Sequence, residues 1–214
     1  MARAKPTAVL SLGLLLAALL LLPASPGAAS EPYRAAGIAY GPARAWGAND
    51  SGQLGNGTTG GSSNVPVQVS GLSGAVAVAA GGFHSLALMP DGTVRAWGAN
   101  GSGQLGNGNN SDSDVPVSVS GLSGAVAVAA GGYHGLALMS DGTVRAWGEN
   151  GSGQLGNGSN ANSNVPVQVS GLSGAAAVAA GGSHSLALMG DGTVRAWGEN
   201  GSGQLGNGSN ANSN

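Results

Sequence analysis

From residue 65 onward, short apolar runs alternate with polar breaks rich in glycine. Val65-Pro-Val-Gln-Val-Ser70 reads as a strand, with Pro66 near its start, where a missing N–H is tolerated. Gly71-Leu-Ser-Gly74 reads as a turn, and Ala75-Val-Ala-Val-Ala-Ala80 as a second strand of small and β-branched residues. Gly81-Gly82 interrupts the chain, and His84-Ser-Leu-Ala-Leu-Met89 is a third strand. Asp91-Gly92 is a tight-hairpin signal, because a type I′ turn needs positive φ at its centre. Thr93-Val-Arg-Ala-Trp97 then forms the fourth strand. Alanine favours helix, but the six residues between glycine-bearing breaks are too few for a stable one. The unit is therefore expected to be a four-stranded antiparallel meander that begins with the Val-Pro-Val strand.

The pattern then repeats. Arg-Ala-Trp-Gly recurs with tryptophans at Trp46, Trp97, Trp147 and Trp197, spaced by 51, 50 and 50 residues. Such a period marks stacked supersecondary units. The strands are apolar on both faces: Leu86 and Leu88 point one way, Ala87 and Met89 the other. A half-exposed sheet would alternate apolar with polar, so each unit needs cover on two sides. Blades sandwiched between neighbours satisfy this, and the expected fold is all-β, a β-propeller. Three strand quartets are expected to start at Val65, Val115 and Val165. A lone fourth-type strand at 37–46 precedes them, and a stub at 197–214 follows.

The stretch 81–108 resembles the repeat of the regulator of chromosome condensation (alpha-tubulin suppressor-like) family. Its Trp-Gly-x-Asn-x-x-Gly-Gln-Leu-Gly run follows a His-x-x-Ala-Leu…Asp-Gly strand pair and is matched at 46–55, 97–106, 147–156 and 197–206. The resemblance covers residues 37–214 and implies a seven-bladed ring, of which about three full blades plus terminal strands are present. It also implies that the remaining blades lie outside this sequence. Open blade faces and unpaired strand edges would then favour self-association.

Residues 1–29 are a different material. Arg3 and Lys5 precede the fifteen-residue apolar run Ala8–Leu22, and small residues follow to Ser30. This is the layout of a cleaved secretory signal peptide, and the run is shorter than the roughly 20 residues of a spanning helix. The expectation is export to the medium or cell surface without stable membrane insertion. A short lead-in at 30–36 and the repeat domain 37–214 follow. Beyond residue 29 the chain keeps five basic against nine acidic residues, which gives no electrostatic footprint for nucleic acid. It has no cysteine, so packing alone must stabilise it in an oxidising destination.

Several patterns invite chemistry, and each has a plainer explanation. Gly101-Ser-Gly103-Gln-Leu-Gly106 matches G-x-G-x-x-G, but no helix period follows, so its glycines are expected to serve turns. His84, His134 and His184 occur once per unit. Equivalent positions on separate blades lie too far apart to share one ion unless they line the axis, so they are expected to bond neighbouring turns. Arg44, Arg95, Arg145 and Arg195 are expected to pair with Asp91, Asp141 or Asp191, or to stack on an aromatic face. Asp112 and Asp114 faintly resemble a calcium loop but lack its glycine and terminal glutamate. Asn56-Gly-Thr58 and Asn150-Gly-Ser152 are glycosylation sequons, relevant only in a glycosylating host. Catalysis needs an asymmetric constellation, but every His, Asp-Gly and Trp is a copy of a repeat position and no polar cluster stands out in one blade. No catalytic residue, cofactor or metal is assigned, and the chain is read as a non-enzyme.

The copies differ at Phe83/Tyr133/Ser183, at Ala99/Glu149 and in the loops 58–64, 109–114 and 159–164. In a meander the second turn and the blade-to-blade connection share one end, which places most of the differences on one rim; Pro90/Ser140/Gly190 is an exception, at the opposite end. The candidate partner-binding rim is Phe83, Tyr133, Asp112, Asp114 and Glu149. The expected function is an exported interaction module that binds a protein or glycan. A secreted enzyme inhibitor, resembling the propeller-type β-lactamase inhibitor, is the alternative; a propeller lyase or hydrolase with its site in other blades is a more distant one. The family's nucleotide exchange on a nuclear GTPase runs against the exported address.

Overall fold

The computed structural model describes residues 41–214. The signal peptide expected at 1–29, the lead-in expected at 30–36 and the start of the strand expected at 37–46 lie outside them. The fold is all-β, with thirteen strands in four antiparallel sheets. β1 (Pro42–Ala48) pairs with β2 (Ser62–Ser73) in the first sheet. The second runs β3 (Ala77–Ala80), β4 (His84–Leu88), β5 (Val94–Gly98) and β6 (Ser113–Ser118). The third repeats it with β7 (Ala125–Ala130), β8 (His134–Met139), β9 (Val144–Gly148) and β10 (Ser163–Gln168). The fourth contains β11 (Ala175–Ala180), β12 (His184–Met189) and β13 (Val194–Gly198), with a single bridge from Gly198 to Ser213 in the fourth-strand position.

The strands fall where the pattern placed them, but the sheets are cut one strand later than expected. The Val-Pro-Val strand does not open a blade; it closes the preceding one. Ala96 pairs with Val117 and Arg95 with Ser118, so β6 zips onto the tryptophan strand before it. β1 is accordingly not alone, since Ala45 pairs with Val67 on β2. Gly121–Gly124 is thus the connection between sheets, and the long loop after each tryptophan lies within one.

A buried asparagine dictates this partition. Leu105 N donates to Asn100 Oδ1 (2.9 Å), while Asn100 Nδ2 donates to the carbonyls of Asn109 (3.0 Å) and Ser111 (2.9 Å). The side chain folds the loop back on itself and returns β6 to β5. Asn49, Asn150 and Asn200 do the same in their copies. A buried carboxamide left unpaired would cost about 1–3 kcal/mol, so the residue and its loop specify each other.

The core lies between sheets. Leu86, Leu88, Val94 and Leu105 of the second sheet pack with Ala137 and Trp147 of the third. Leu136, Leu138, Val144 and Leu155 pack likewise with Ala187 and Trp197. Each indole also donates backwards to a main-chain carbonyl: Trp97 to Gln53, Trp147 to Gln104 and Trp197 to Gln154, each at 2.9 Å. A glycine makes room for the ring. At Gly106 (φ +61°) a Cβ would sit 2.8 Å from Trp147 Cδ1. Trp46, by contrast, is 65 % exposed.

Candidate functional site: an aromatic rim

Moving the sheet boundary by one strand leaves the ends of the sheets unchanged. The Gly81–Phe83 turn and the loop after Trp97 share one end, where Ala99 N donates to Phe83 O at 2.9 Å. The Asp91-Gly92 turn and the Gly121–Gly124 connection share the other, where Ala125 N donates to Gly92 O at 3.0 Å. The differing second turns and long loops therefore share one rim, as tight turns and within-sheet loops, while Pro90/Ser140/Gly190 varies at the opposite end.

On that rim Phe83 and Tyr133 come together from successive sheets. Their rings stack with centroids 4.8 Å apart and planes 16° from parallel. Both remain exposed, at 43 % and 37 %. The turns that carry them are clamped by main-chain bonds: Gly82 N donates to Gly131 O, and Gly132 N to Gly182 O, both 3.0 Å. The third turn carries Ser183 in the equivalent place. Beside each of these residues runs the start of the long loop. Glu149 N donates to Tyr133 O and Glu199 N to Ser183 O, both at 2.9 Å. Gly148, at φ +102°, permits the approach, since a Cβ there would strike Tyr133 O. Glu149 Oε2 accepts from Gln154 Nε2 at 3.3 Å, which anchors that carboxylate.

Asp112 and Asp114 are placed otherwise. Asp112 Oδ1 accepts from Asn100 N (2.7 Å), a task that Asn162 and Asn212 perform in the later copies. The Asp114 carbonyl accepts from Gly57 N (2.9 Å) and joins the first sheet to the second. Both stand on the rim's outer loops, and the structure does not unite them with the aromatic pair. Asn150 is fully buried within its loop, which closes that sequon to modification; Asn56 is half-buried, its carboxamide oxygen accepting from the Thr58 hydroxyl at 2.8 Å.

The opposite end is organised by aspartates. Asp91 accepts from the Thr93 hydroxyl (2.7 Å) and main chain (2.9 Å), and these bonds hold its carboxyl below the ordinary value. Arg95, expected to pair with it, acts only as the last contributor and donates instead to the Ser118 hydroxyl. The reason is reach: Thr93 is two residues away in the same turn.

The histidines divide. His134 Nε2 lies 3.0 Å from the Ser185 hydroxyl on the next sheet, a cross-sheet bond to a strand rather than a turn. His84 has no partner at either ring nitrogen, although a bond had been expected there. Its counterpart of Ser185 is Gly135, which has no hydroxyl to offer. Burial lowers the pKa of both to about 4, helped in each by the next histidine along. Among the described residues no group of three His, Asp or Glu side chains could hold a metal ion, and no helix is long and apolar enough to cross a membrane.

The buried asparagine recurs once per unit in the Trp-Gly-x-Asn run, a mark of its place, but nothing in the sequence showed that it closes the loop. The stacking of Phe83 on Tyr133 had no such mark, because only the clamped turns bring the rings together.

Comparison with known proteins agrees with this architecture. Residues 45–88, 91–138 and 141–188 match the family described as "Regulator of chromosome condensation (RCC1) repeat". Each matched unit starts near a tryptophan strand and ends in the histidine strand of the next sheet, so family unit and sheet are offset. The zebrafish (Danio rerio) "Protein RCC2 homolog" is 49 % identical over 69 residues, 31 % of this chain and 14 % of the relative. The human "Probable E3 ubiquitin-protein ligase HERC3" is 49 % identical over 63 residues, 28 % of this chain and 6 % of that protein. Yeast RCC1 (Prp20), solved with Kap60, superposes with a TM-score of 0.71 at 24 % identity, covering 81 % of this chain and 43 % of its own. Human WBSCR16 superposes at 0.66 with 29 % identity, covering 77 % and 44 %. The chain thus spans less than half of these structures and a small part of the curated relatives. Its repeats, its β-propeller blades and its Trp-to-carbonyl junctions place it in the regulator of chromosome condensation repeat family.

Proposed function

We propose that the chain is an exported, non-catalytic interaction module that binds a protein partner through the rim carrying Phe83 and Tyr133. The observation that carries this reading is the exposed aromatic stack on a rigid base. Aromatic side chains held in place anchor interfaces well, because they bury much area at little entropy cost. Trp, Gln-Leu-Gly, Leu-Ala-Leu-Met and Asp-Gly are the same in the copies, whereas most of the differences fall on the rim, so binding identity has its place there. The signal-like segment 1–29 supports export.

A photo-crosslinking residue at position 133 of the secreted chain should give protein adducts, and the same residue at 140, on the opposite end, should not. Equal adducts at both positions would overturn the rim assignment. Tyr133→Ser copies the fourth sheet's own choice at position 183 and should weaken the crosslinked partner about tenfold or more. Ser140→Gly, likewise borrowed from the repeat, should leave affinity unchanged. N-terminal sequencing of secreted material should begin at Ser30 or Glu31, and retention of Met1 on cell-associated material would count against export.

A further inference from the structure

We infer that the rim takes an arginine side chain of its partner into a slot beside Tyr133, over Ser183. This deepens the interaction reading above and rests on it. Successive turns on this rim place their variable residue one ring-width apart, as the 4.8 Å separation of Phe83 and Tyr133 shows. Main-chain bonds of 3.0 Å join the Phe83 turn to the Tyr133 turn, from Gly82 N to Gly131 O, and the Tyr133 turn to the Ser183 turn, from Gly132 N to Gly182 O. A third aromatic residue at 183 would continue the stack. Serine stands there instead, and Tyr133 remains 37 % exposed. The row therefore ends in a flat aromatic face with a small hydroxyl residue where the next ring would lie.

The neighbours define what fits. The main chain of Glu149 lies beside Tyr133 and that of Glu199 beside Ser183, each through a 2.9 Å bond; Glu149 Oε2 is taken by Gln154 Nε2 at 3.3 Å, which leaves its Oε1 to a partner. The Phe83 position has Ala99 in that place. The carboxylates thus accompany the open end of the row and not its start. No lysine or arginine occurs in the loops of this rim, 47–64, 98–114, 148–164 and 198–214, which carry five acidic residues. The four arginines of the described residues lie instead on the tryptophan strands. A planar cation is the chemistry that satisfies an aromatic face flanked by carboxylates: it stacks on the ring and donates in its own plane to the acids. Arginine meets both demands. Lysine, a compact and strongly hydrated point charge, meets only the second.

The test uses small probes on the isotope-labelled secreted chain. N-acetyl-arginine methylamide should shift the resonances of Tyr133, Ser183, Glu149 and Glu199, saturating in the millimolar range expected for a single side chain. The citrulline analogue, isosteric but uncharged, should bind at least tenfold more weakly, and the lysine analogue should fall between. Ser183→Tyr, which copies position 133 and so is compatible with the scaffold, should fill the slot and abolish the shifts. Ser183→Ala should retain them. Glu149→Gln and Glu199→Gln should each weaken the arginine probe several-fold. Equal binding of the arginine and citrulline analogues, shifts that map elsewhere, or full binding by Ser183→Tyr would each overturn the slot. So would a methyl glycoside that saturates these residues in place of the arginine probe. If crosslinking at 133 still captures a partner when the arginine probe fails, the slot falls and the rim reading stands. If crosslinking shows no preference for 133, the rim reading falls by itself.

Discussion

The junction between the second and third sheets and the junction between the third and fourth are copies that differ in one hydroxyl. At the later junction Ser185 donates to Gln154 O at 2.8 Å and meets His134 Nε2 at 3.0 Å. Histidine, serine and carbonyl form a continuous bridge from one sheet to the next. At the earlier junction Gly135 stands in the serine's place, and Gln104 O is left with the indole of Trp147 alone. His84 is buried without a bond at either nitrogen. In exchange, the glycine lets Trp147 settle deeper: the ring is wholly buried, and a Cβ at 135 would lie 2.6 Å from its Cε2 and Cζ2. One junction is held by a polar bridge, the other by closer apolar packing. The two solutions exclude each other at a given position.

That contrast can be broken most severely through the indole. Trp147→Ala removes the filling of the tighter junction and should cost about 3–5 kcal/mol in chemical denaturation. Trp197→Ala, at the junction with the polar bridge, should cost less. An equal loss at both would remove the packing half of the comparison.

The next largest effect is of pH. Both histidines are neutral when folded, with pKa lowered from 6.5 to about 4 by burial. Between these values the unfolded chain binds protons that the native state refuses, so stability falls as pH drops from about 6.5 to 4 and levels off below. Each group contributes of order 3 kcal/mol over that window. His84→Leu should flatten the acid loss without lowering stability at pH 7.5, because it removes two unpartnered nitrogens. His134→Leu should flatten it too, but at a cost of about 1 kcal/mol for the bond to Ser185. Urea midpoints at pH 7.5 and 4.5 distinguish these outcomes. A wild-type midpoint that does not move between the two would refute the assignment of neutral histidines.

The smallest and most pointed test exchanges the hydroxyl. Ser185→Gly should cost about 1 kcal/mol, the ordinary net worth of a buried hydrogen bond. Gly135→Ser offers His84 the partner it lacks, yet should destabilise, because its Cβ meets the backbone-anchored Trp147 ring. A stabilised Gly135→Ser variant would mean that the orphaned histidine, and not the packing, governs that junction.

The strands and hairpins were legible because their signals are local. Asp91-Gly92 forms its turn with Gly92 at φ +76°, as the dipeptide demands. The partition into sheets was not, because a fifty-residue period can be cut anywhere without altering the period. What decides the cut is the asparagine-centred loop, whose bonds span up to eleven residues. On the rim the reading came through for a topological reason: the ends alternate along a meander wherever the first strand is placed. The ring stack and the unpartnered His84 depend on residues in different copies, and the Asp112 bond to Asn100 N on a twelve-residue return within one loop. Such contacts leave no trace in a local pattern.

The indole-to-carbonyl bond that joins each sheet to the one before has a consequence for how such a chain can change over time. The bond uses only a tryptophan from one unit and a main-chain oxygen from its predecessor, so it makes no reference to which unit that is. Duplicating or excising a whole period recreates a junction of a kind already present, with no new surface to invent. Copy number is therefore free to drift by unequal exchange between near-identical stretches, and the first interval, one residue longer than the others, keeps its bond all the same. The grammar of the array tolerates whole words gained or lost.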